Sequence, residues 1–217
     1  MISKIKAIIF DFDGVILDSV NIKTLAFEEM YSEYGVEIKK KVRDYHLLHG
    51  GISRFEKIRY FHKVFLRTEL SDSDLQKLTN KFSTLVFEGV CNSKYIAGSL
   101  EFLKYSSSKF LTFICTGTPQ NEIEDILKRK NLSNYFNEVF GSPKNKVTII
   151  KNILKKYDLN FNEVLFIGDA MTDYNAAKQT RLNFVGINNN ETAFPEGTIL
   201  VDDLMKIVIL QGFEKTD

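Results

Sequence analysis

The sequence predicts an α/β fold: a doubly wound, parallel-sheet core interrupted after its first strand by an all-helical insert. Three observations carry this prediction. Short β-branched and aromatic runs recur along the chain, segments with helical periodicity separate them, and one stretch of about eighty residues shows helical spacing with no strand run. The length of 217 residues suits one core domain with a smaller insert, on a prior of roughly 100–200 residues per domain.

The runs are Ile5–Phe10, Phe110–Cys115, Val164–Ile167 and Asn183–Ile187. All but the last are nearly continuous in apolar character, which suits strands buried on both faces beneath helices. Between them, Pro119–Lys130 carries proline in its first turn, acids early and bases late, with Thr118 as the expected N-cap. Lys146–Tyr157 repeats Val147, Ile150, Ile153 and Leu154, and Asp173–Thr180 carries Ala176 and Ala177. Alternation of strand and helix gives the doubly wound sheet. In the insert, Ile22, Leu25, Ala26, Met30 and Tyr31 recur at helical spacing. So do Phe55, Ile58, Tyr60, Phe61, Phe65 and Leu66, and then Leu75, Leu78, Phe82, Leu85 and Val86. The aromatic stripe reads as the insert's own core rather than a stacking surface. The expected division is a core of residues 1–15 and 96–217 with a helical insert of 16–95. The polar tail Gly212–Asp217 is expected to fray.

Bulk properties exclude more than they suggest. Lysine plus arginine (29) against aspartate plus glutamate (28) gives a net charge of +1, which removes the electrostatic argument for a nucleic-acid or anionic-membrane partner. Cys91 and Cys115 are too few for a disulfide scaffold and too far apart for a zinc pair, so they read as reduced thiols. The apolar run Ala7–Phe10 is shorter than the ~7–15 residues of a secretion-signal core, and no stretch reaches the ~18 apolar residues of a membrane span. A soluble cytoplasmic protein, monomer or homodimer, is the expectation.

In a doubly wound sheet, ligands bind beyond the carboxyl ends of the strands. After the first run come Asp11-Phe12-Asp13-Gly14, after the second Thr116-Gly117-Thr118, and after the third Gly168-Asp169 and then Asp173. Carboxylates gathered at one sheet edge repel one another, and burying them requires a cation. A hard divalent ion with oxygen ligands fits, magnesium above all, because it takes few carboxylates and fills its shell from water and phosphate. The Thr116 hydroxyl and nearby amides can bind phosphate oxygens, and Lys144 or Lys146 can neutralise their charge. Each motif alone has an ordinary reading, as a helix cap or a turn. Their order, spacing and strand context together are far more specific.

With these motifs the chain resembles the haloacid dehalogenase superfamily, specifically its phosphatase-like members with a helical cap, the phosphoglycolate phosphatase-like kind. Asp11-Phe12-Asp13-Gly14-Val15 is similar to the first motif, Phe113-Ile114-Cys115-Thr116-Gly117 to the second, and Gly168-Asp169-Ala170-Met171-Thr172-Asp173 to the fourth. Lys146, which opens the segment before the third run, is preferred over Lys144 as the third-motif lysine. The resemblance implies a Rossmann-like core and phosphomonoester hydrolysis on a small phosphorylated metabolite. Asp11 would be the nucleophile, with Asp13 as acid and base. Asp11, Asp13 (through its backbone carbonyl) and Asp169 would hold magnesium, and Asp173 would support the ion or orient Lys146. Thr116, Gly117 and Lys146 would bind phosphate.

Asp13 argues against dehalogenase and phosphonate-cleaving relatives, which lack that carboxylate. A β-phosphoglucomutase-like phosphomutase remains open, although the stretch Asn21-Ile22-Lys23-Thr24 lacks the histidine that such mutases carry there. A non-catalytic binding protein for phosphorylated metabolites on the same scaffold is the other alternative. Within the cap, the loop His46–Arg54 offers His49, Gly51 and Arg54 for substrate recognition, against the plainer reading of an interhelical turn capped by Ser53. It is similar to loops of relatives acting on sugar phosphates, which makes a sugar phosphate the expected substrate.

Overall fold

The computed structural model describes residues 5–189 and 192–210, so the predicted fraying of Gly212–Asp217 lies outside the described residues. A six-stranded, all-parallel sheet forms the core. Its strands are β1 (Ala7–Phe10), β2 (Leu111–Pro119), β3 (Glu138–Ser142), β4 (Val164–Gly168), β5 (Asn183–Ile187) and β6 (Leu200–Val201), in the order β3-β2-β1-β4-β5-β6.

Both faces of the sheet are covered, which is why its central strands read as continuous apolar runs. Along β1 the side chains alternate between two cores. Ile8 and Phe10 join the cluster that contains Phe102 and Leu103 of α5 (Ser99–Ser107) and Ile123 and Ile126 of α6 (Gln120–Arg129). Ala7 and Ile9 join the opposite cluster, with Ile149, Ile150 and Ile153 of α7 (Lys146–Lys156) and Ala176 and Ala177 of α8 (Met171–Thr180).

Between β1 and α5 the chain forms α1 (Val20–Met30), α2 (Val36–Leu48), α3 (Arg54–Tyr60) and α4 (Asp72–Asn92), with a wide π-helical turn over Phe61–Leu66. Phe27, Phe61 and Phe82 pack together here, with ring centroids 5.5 and 4.2 Å from Phe27. Ser53 caps α3, its hydroxyl accepting from the Glu56 amide. One expected core residue, Leu25, is 55% exposed, on the outer face of α1.

Strands β3 and β6 and helix α5 carry no continuous apolar run and are absent from the sequence reading. Both strands lie at sheet edges, where burial is incomplete and the apolar signal is correspondingly short. β2 also runs further than its apolar stretch, through Pro119. Pro119, rather than Thr118, therefore occupies the N-cap position of α6 and leaves the Thr118 hydroxyl for other work. Among the described residues no helix is long and apolar enough to cross a membrane.

Candidate active site

The carboxyl ends of β1, β2 and β4 bring the strand-end residues together as the topology requires. Asp11 directly follows β1, Asp169 directly follows β4, and Asp173 is in the first turn of α8. Their carboxylates are buried, with one oxygen from each lying within 4.8 Å of the others. Lys146, first residue of α7, reaches into this group, its Nζ 2.7 Å from Asp11 Oδ2 and 2.5 Å from Asp173 Oδ1. Each partner is also held by backbone: the Phe12 amide donates to Asp11 Oδ1 at 2.7 Å, and the Ala170 amide donates to Asp173 Oδ2 at 3.1 Å.

Three buried carboxylates against one ammonium leave an excess of negative charge. Burial, reinforced by Asp11 and Asp173, pushes the Asp169 carboxyl well above its usual range. Burial likewise raises Asp173, to about 7, in spite of Lys146. Lys146 is raised as well: burial works against its charge, but the two aspartates overcome it and keep the ammonium protonated. A hard divalent cation suits this oxygen-only, charge-deficient donor set. Cys115, directly behind the site, has its thiol pushed up by burial and is chemically quiet.

Asp13 is held apart from this cluster. Its Oδ2 is ion-paired with Lys23 of α1 and accepts from the Thr118 hydroxyl at 2.9 Å, while its Oδ1 accepts from Ser19 at 2.6 Å. Burial raises its pKa, but the Lys23 charge and the three hydrogen bonds more than offset that, so the carboxyl is held below its usual value. Lys23 also donates to Thr118 Oγ1 at 2.8 Å. The sequence places Thr118 in the strand-end group but gives neither it nor Ser19 a chemical role, and it offers Lys23 no place in the site. Lys23 lies in the stretch noted for its missing histidine, and one turn of α1 from Ser19 is the only local signal it offers.

Thr116 and Gly117 line the same cavity, with the Thr116 hydroxyl accepting from the Thr118 amide at 3.2 Å. The loop from the inserted helices closes over them. Thr172 donates to the Gly50 carbonyl at 2.6 Å. Gly51 adopts a left-handed φ of +75°, and a Cβ there would stand 2.2 Å from Thr172 Oγ1 and 3.1 Å from Lys146 Nζ. A Cβ on Gly117 would in turn meet the Gly51 carbonyl oxygen at 2.7 Å, so two glycines are what let this loop seat against the sheet edge.

The other two expected recognition residues are placed differently. His49 stacks on Tyr45, ring centroids 4.1 Å apart, and is not among the residues lining the cavity; His46 is. Arg54 does line it, but its guanidinium is given over to Glu122 of α6 in a bidentate pair at 2.5 and 2.7 Å. The same group bonds Ser83 at 2.6 Å and stacks 4.5 Å over the Phe82 ring. Fully desolvated and paired, Arg54 ties the insert to the core rather than facing a ligand.

Comparison with known proteins agrees with this architecture. The family model described as haloacid dehalogenase-like hydrolase matches residues 8–187. Among curated relatives, a phosphoglycolate phosphatase of Vibrio cholerae is 23% identical over 96% of this chain and 99% of its own length. A phosphorylated carbohydrates phosphatase of Thermotoga maritima is 25% identical over 80% of each. Among solved structures, a β-phosphoglucomutase from Clostridium difficile superposes with a TM-score of 0.76 at 20% identity, covering 95% of this chain and 96% of its own. A HAD-hydrolase from Bacillus subtilis bound to magnesium gives 0.72 at 16% identity, covering 97% and 100%. At these identities the structural likenesses speak for the fold alone. The family match spans most of the chain, including all three strand ends that supply Asp11, Thr116 and Asp169, and the chain belongs to the haloacid dehalogenase-like hydrolases as a phosphatase-like member.

Proposed function

We propose that the protein is a magnesium-dependent phosphatase that hydrolyses the phosphomonoester of a small metabolite through an aspartyl-phosphate on Asp11, with the inserted helices acting as its cap. The observation that carries this is the buried group of Asp11, Asp169 and Asp173 around Lys146, roofed by the loop at Gly50 and Gly51. Asp11, Asp169 and the backbone carbonyl of Asp13 would hold magnesium, with Asp173 supporting them and fixing Lys146. The ion would supply charge neutralisation for the phosphoryl oxygens.

In the first step an Asp11 carboxylate oxygen attacks phosphorus, the bond to the leaving oxygen breaks, and Asp13 protonates that oxygen. In the second, water attacks the aspartyl-phosphate, Asp13 takes its proton, and phosphate leaves. Thr116, Gly117 and Lys146 position the phosphoryl group, which is most of what such a transfer needs. The pair with Lys23 suits Asp13 as base, because it keeps the carboxylate ionised. The acid role requires that pair to loosen as substrate enters. Hydrolysis is favoured over phosphomutation because Lys23, a cation, stands against Asp13 where the mutase pattern calls for histidine. The cavity, about 70 Å³, suits a small metabolite. Size alone admits the sugar phosphate that the loop suggests as well as a phosphorylated acid.

A phosphate-release screen over phosphorylated metabolites tests this reading. Turnover is expected with magnesium and is expected to vanish on chelation. Absence of release from every substrate would favour the binding-protein alternative, and bisphosphate-dependent isomerisation without release would favour the mutase. Lys146→Ala is expected to cut kcat/KM by on the order of 10²–10³, as loss of a preorganised charge at a developing anion does. Lys144→Ala, at an exposed position, is expected to stay within ~2-fold of wild type. The reverse ranking would move the phosphate-binding role to Lys144.

A further inference from the structure

Behind the roof loop lies a second cavity of about 490 Å³, beside the first turn of α7 and along α8. It shares Gly51, Ile52, Thr116 and Gly117 with the cavity in front, and Lys146 lines it as well. The residues that would bind the phosphoryl group therefore border two cavities. Between the cavities, backbone packs on backbone: a Cβ on Gly117 would stand 2.7 Å from the Gly51 carbonyl oxygen. The neighbouring Gly50 carbonyl is tied to α8 by the hydrogen bond from Thr172.

The two cavities differ in chemistry. In front, Val20, Phe27, Leu47 and Phe82 make an apolar wall, and Lys23 and Arg54 are committed to Asp13 and Glu122. The rear cavity has no aromatic ring among the described residues that line it. Lys144, Asn145, Thr148, Asn175 and Gln179 line it from exposed positions, so it opens to solvent. Lys144 enters no ion pair among the described residues. With Lys146 it faces a single lining carboxylate, Glu56, which accepts from the Ser53 hydroxyl at 3.1 Å. Ser142 also lines this cavity. It is 3% exposed, and its hydroxyl has no hydrogen-bond partner among the described residues. An unpaired buried hydroxyl is costly, and an oxygen-rich anion or its water would satisfy it.

Hydrolysis leaves a phosphate dianion beneath the roof. To leave by the front it must cross the apolar wall, and the insert is fastened there by the buried pair of Arg54 and Glu122. Both steps are expensive for an ion. To leave by the rear, the Gly51 loop must shift from Gly117 and give up the bond from Thr172. We propose that the rear cavity is the exit for inorganic phosphate, opened by that shift and guided by Lys144, so that phosphate departs while the inserted helices stay seated on the core. This rests on the phosphatase reading above and adds a second opening to the same site.

The test measures how long phosphate stays bound. Before it leaves, hydrolysis can reverse: an Asp11 oxygen attacks phosphorus, one phosphate P–O bond breaks, and that oxygen departs as water with the proton returned by Asp13. Turnover of acetyl phosphate with magnesium in ¹⁸O-water therefore reads the ratio of reversal to release, as labelled oxygens beyond the first in each phosphate. Asn175→Trp, at an exposed position of α8, places an indole in the rear cavity. The chain has no other tryptophan, so shielding of its fluorescence from a soluble quencher reports that it is seated. The ratio is expected to rise on the order of 10-fold in Asn175→Trp and about 3-fold in Lys144→Glu. In both variants kcat/KM is expected to stay within ~2-fold of wild type, because it ends at departure of acetate.

A ratio equal to wild type in folded Asn175→Trp, with its indole shielded, overturns the proposal. A parallel loss of kcat/KM also overturns it, since that is what a distorted site would give. If Asn175→Trp does not fold or its indole is unshielded, Lys144→Glu decides by the same two readings. Failure of wild type to release phosphate from acetyl phosphate and from a broad panel of phosphomonoesters defeats the phosphatase reading itself. Wild-type turnover with unaltered exchange in both variants defeats only the exit.

Discussion

Asp11→Asn is expected to abolish phosphate release, by a factor on the order of 10⁴ or more, while leaving the fold intact. The amide has the shape of the carboxylate and keeps an oxygen for the Phe12 amide, 2.7 Å from Asp11 Oδ1. What it lacks is the nucleophilic oxygen pair, and no other carboxylate takes its place. Asp169 and Asp173 lie on different elements, and Asp173 is engaged at both oxygens by Lys146 and the Ala170 amide. For stability two changes oppose each other: the amide nitrogen replaces the Oδ2 that accepts from Lys146 at 2.7 Å, and one negative charge leaves the buried group. The substitution removes one of three crowded buried carboxylates, which relieves the repulsion that raises Asp169. A folded variant with a thermal midpoint within roughly 5 °C of wild type is therefore expected, alongside activity at background. Phosphate release assays and a melting curve on the same preparation check both halves. Activity surviving in the folded variant would remove the nucleophile from Asp11.

Arg54→Met is expected to lower stability by about 3–5 kcal/mol, the cost of leaving one partner of a buried pair uncompensated. Arg54 and Glu122 are both nearly inaccessible, and the guanidinium makes two hydrogen bonds to the carboxylate, one to Ser83 and a stack on Phe82. Losing the arginine leaves the buried Glu122 carboxylate without its counter-charge. For a chain of this size the shift corresponds to a fall in melting temperature of about 10 °C. The double variant Arg54→Met, Glu122→Met is expected to recover most of the loss, because replacing both ions by apolar groups removes the unpaired charge. A cycle of denaturation measurements reads the coupling directly. A single variant within ~1 kcal/mol of wild type would show that the pair does not tie the insert to the core.

The local pattern of the chain was sufficient for much of the architecture. β1, β4 and β5 are legible because their side chains are buried on one or both faces, and a strand buried on both faces has to be apolar at nearly every position. The strand-end aspartates are legible for a related reason. The parallel topology forces successive strands to present their carboxyl ends on one edge, so the position of an acid along the chain already implies its place in space. Edge strands β3 and β6 escape notice because partial exposure removes that constraint.

Charge pairing is where pattern fails. Arg54 reads as a ligand-binding arginine, yet its partner Glu122 lies 68 residues away. Lys23 and Thr118 meet across 95 residues to hold Asp13. His46, rather than His49, enters the cavity and meets Lys57. Periodicity records how deeply each residue is buried, a property that its own helix or strand largely sets. Which cation is spent on which anion depends on how the inserted helices dock on the sheet, since Coulomb and hydrogen-bond terms act over a few ångströms in space with no regard for separation in sequence. The parallel core, its central strands and the acidic edge could thus be read from the chain alone, whereas the strand order and the pairing of each cation with its anion were decided only by packing.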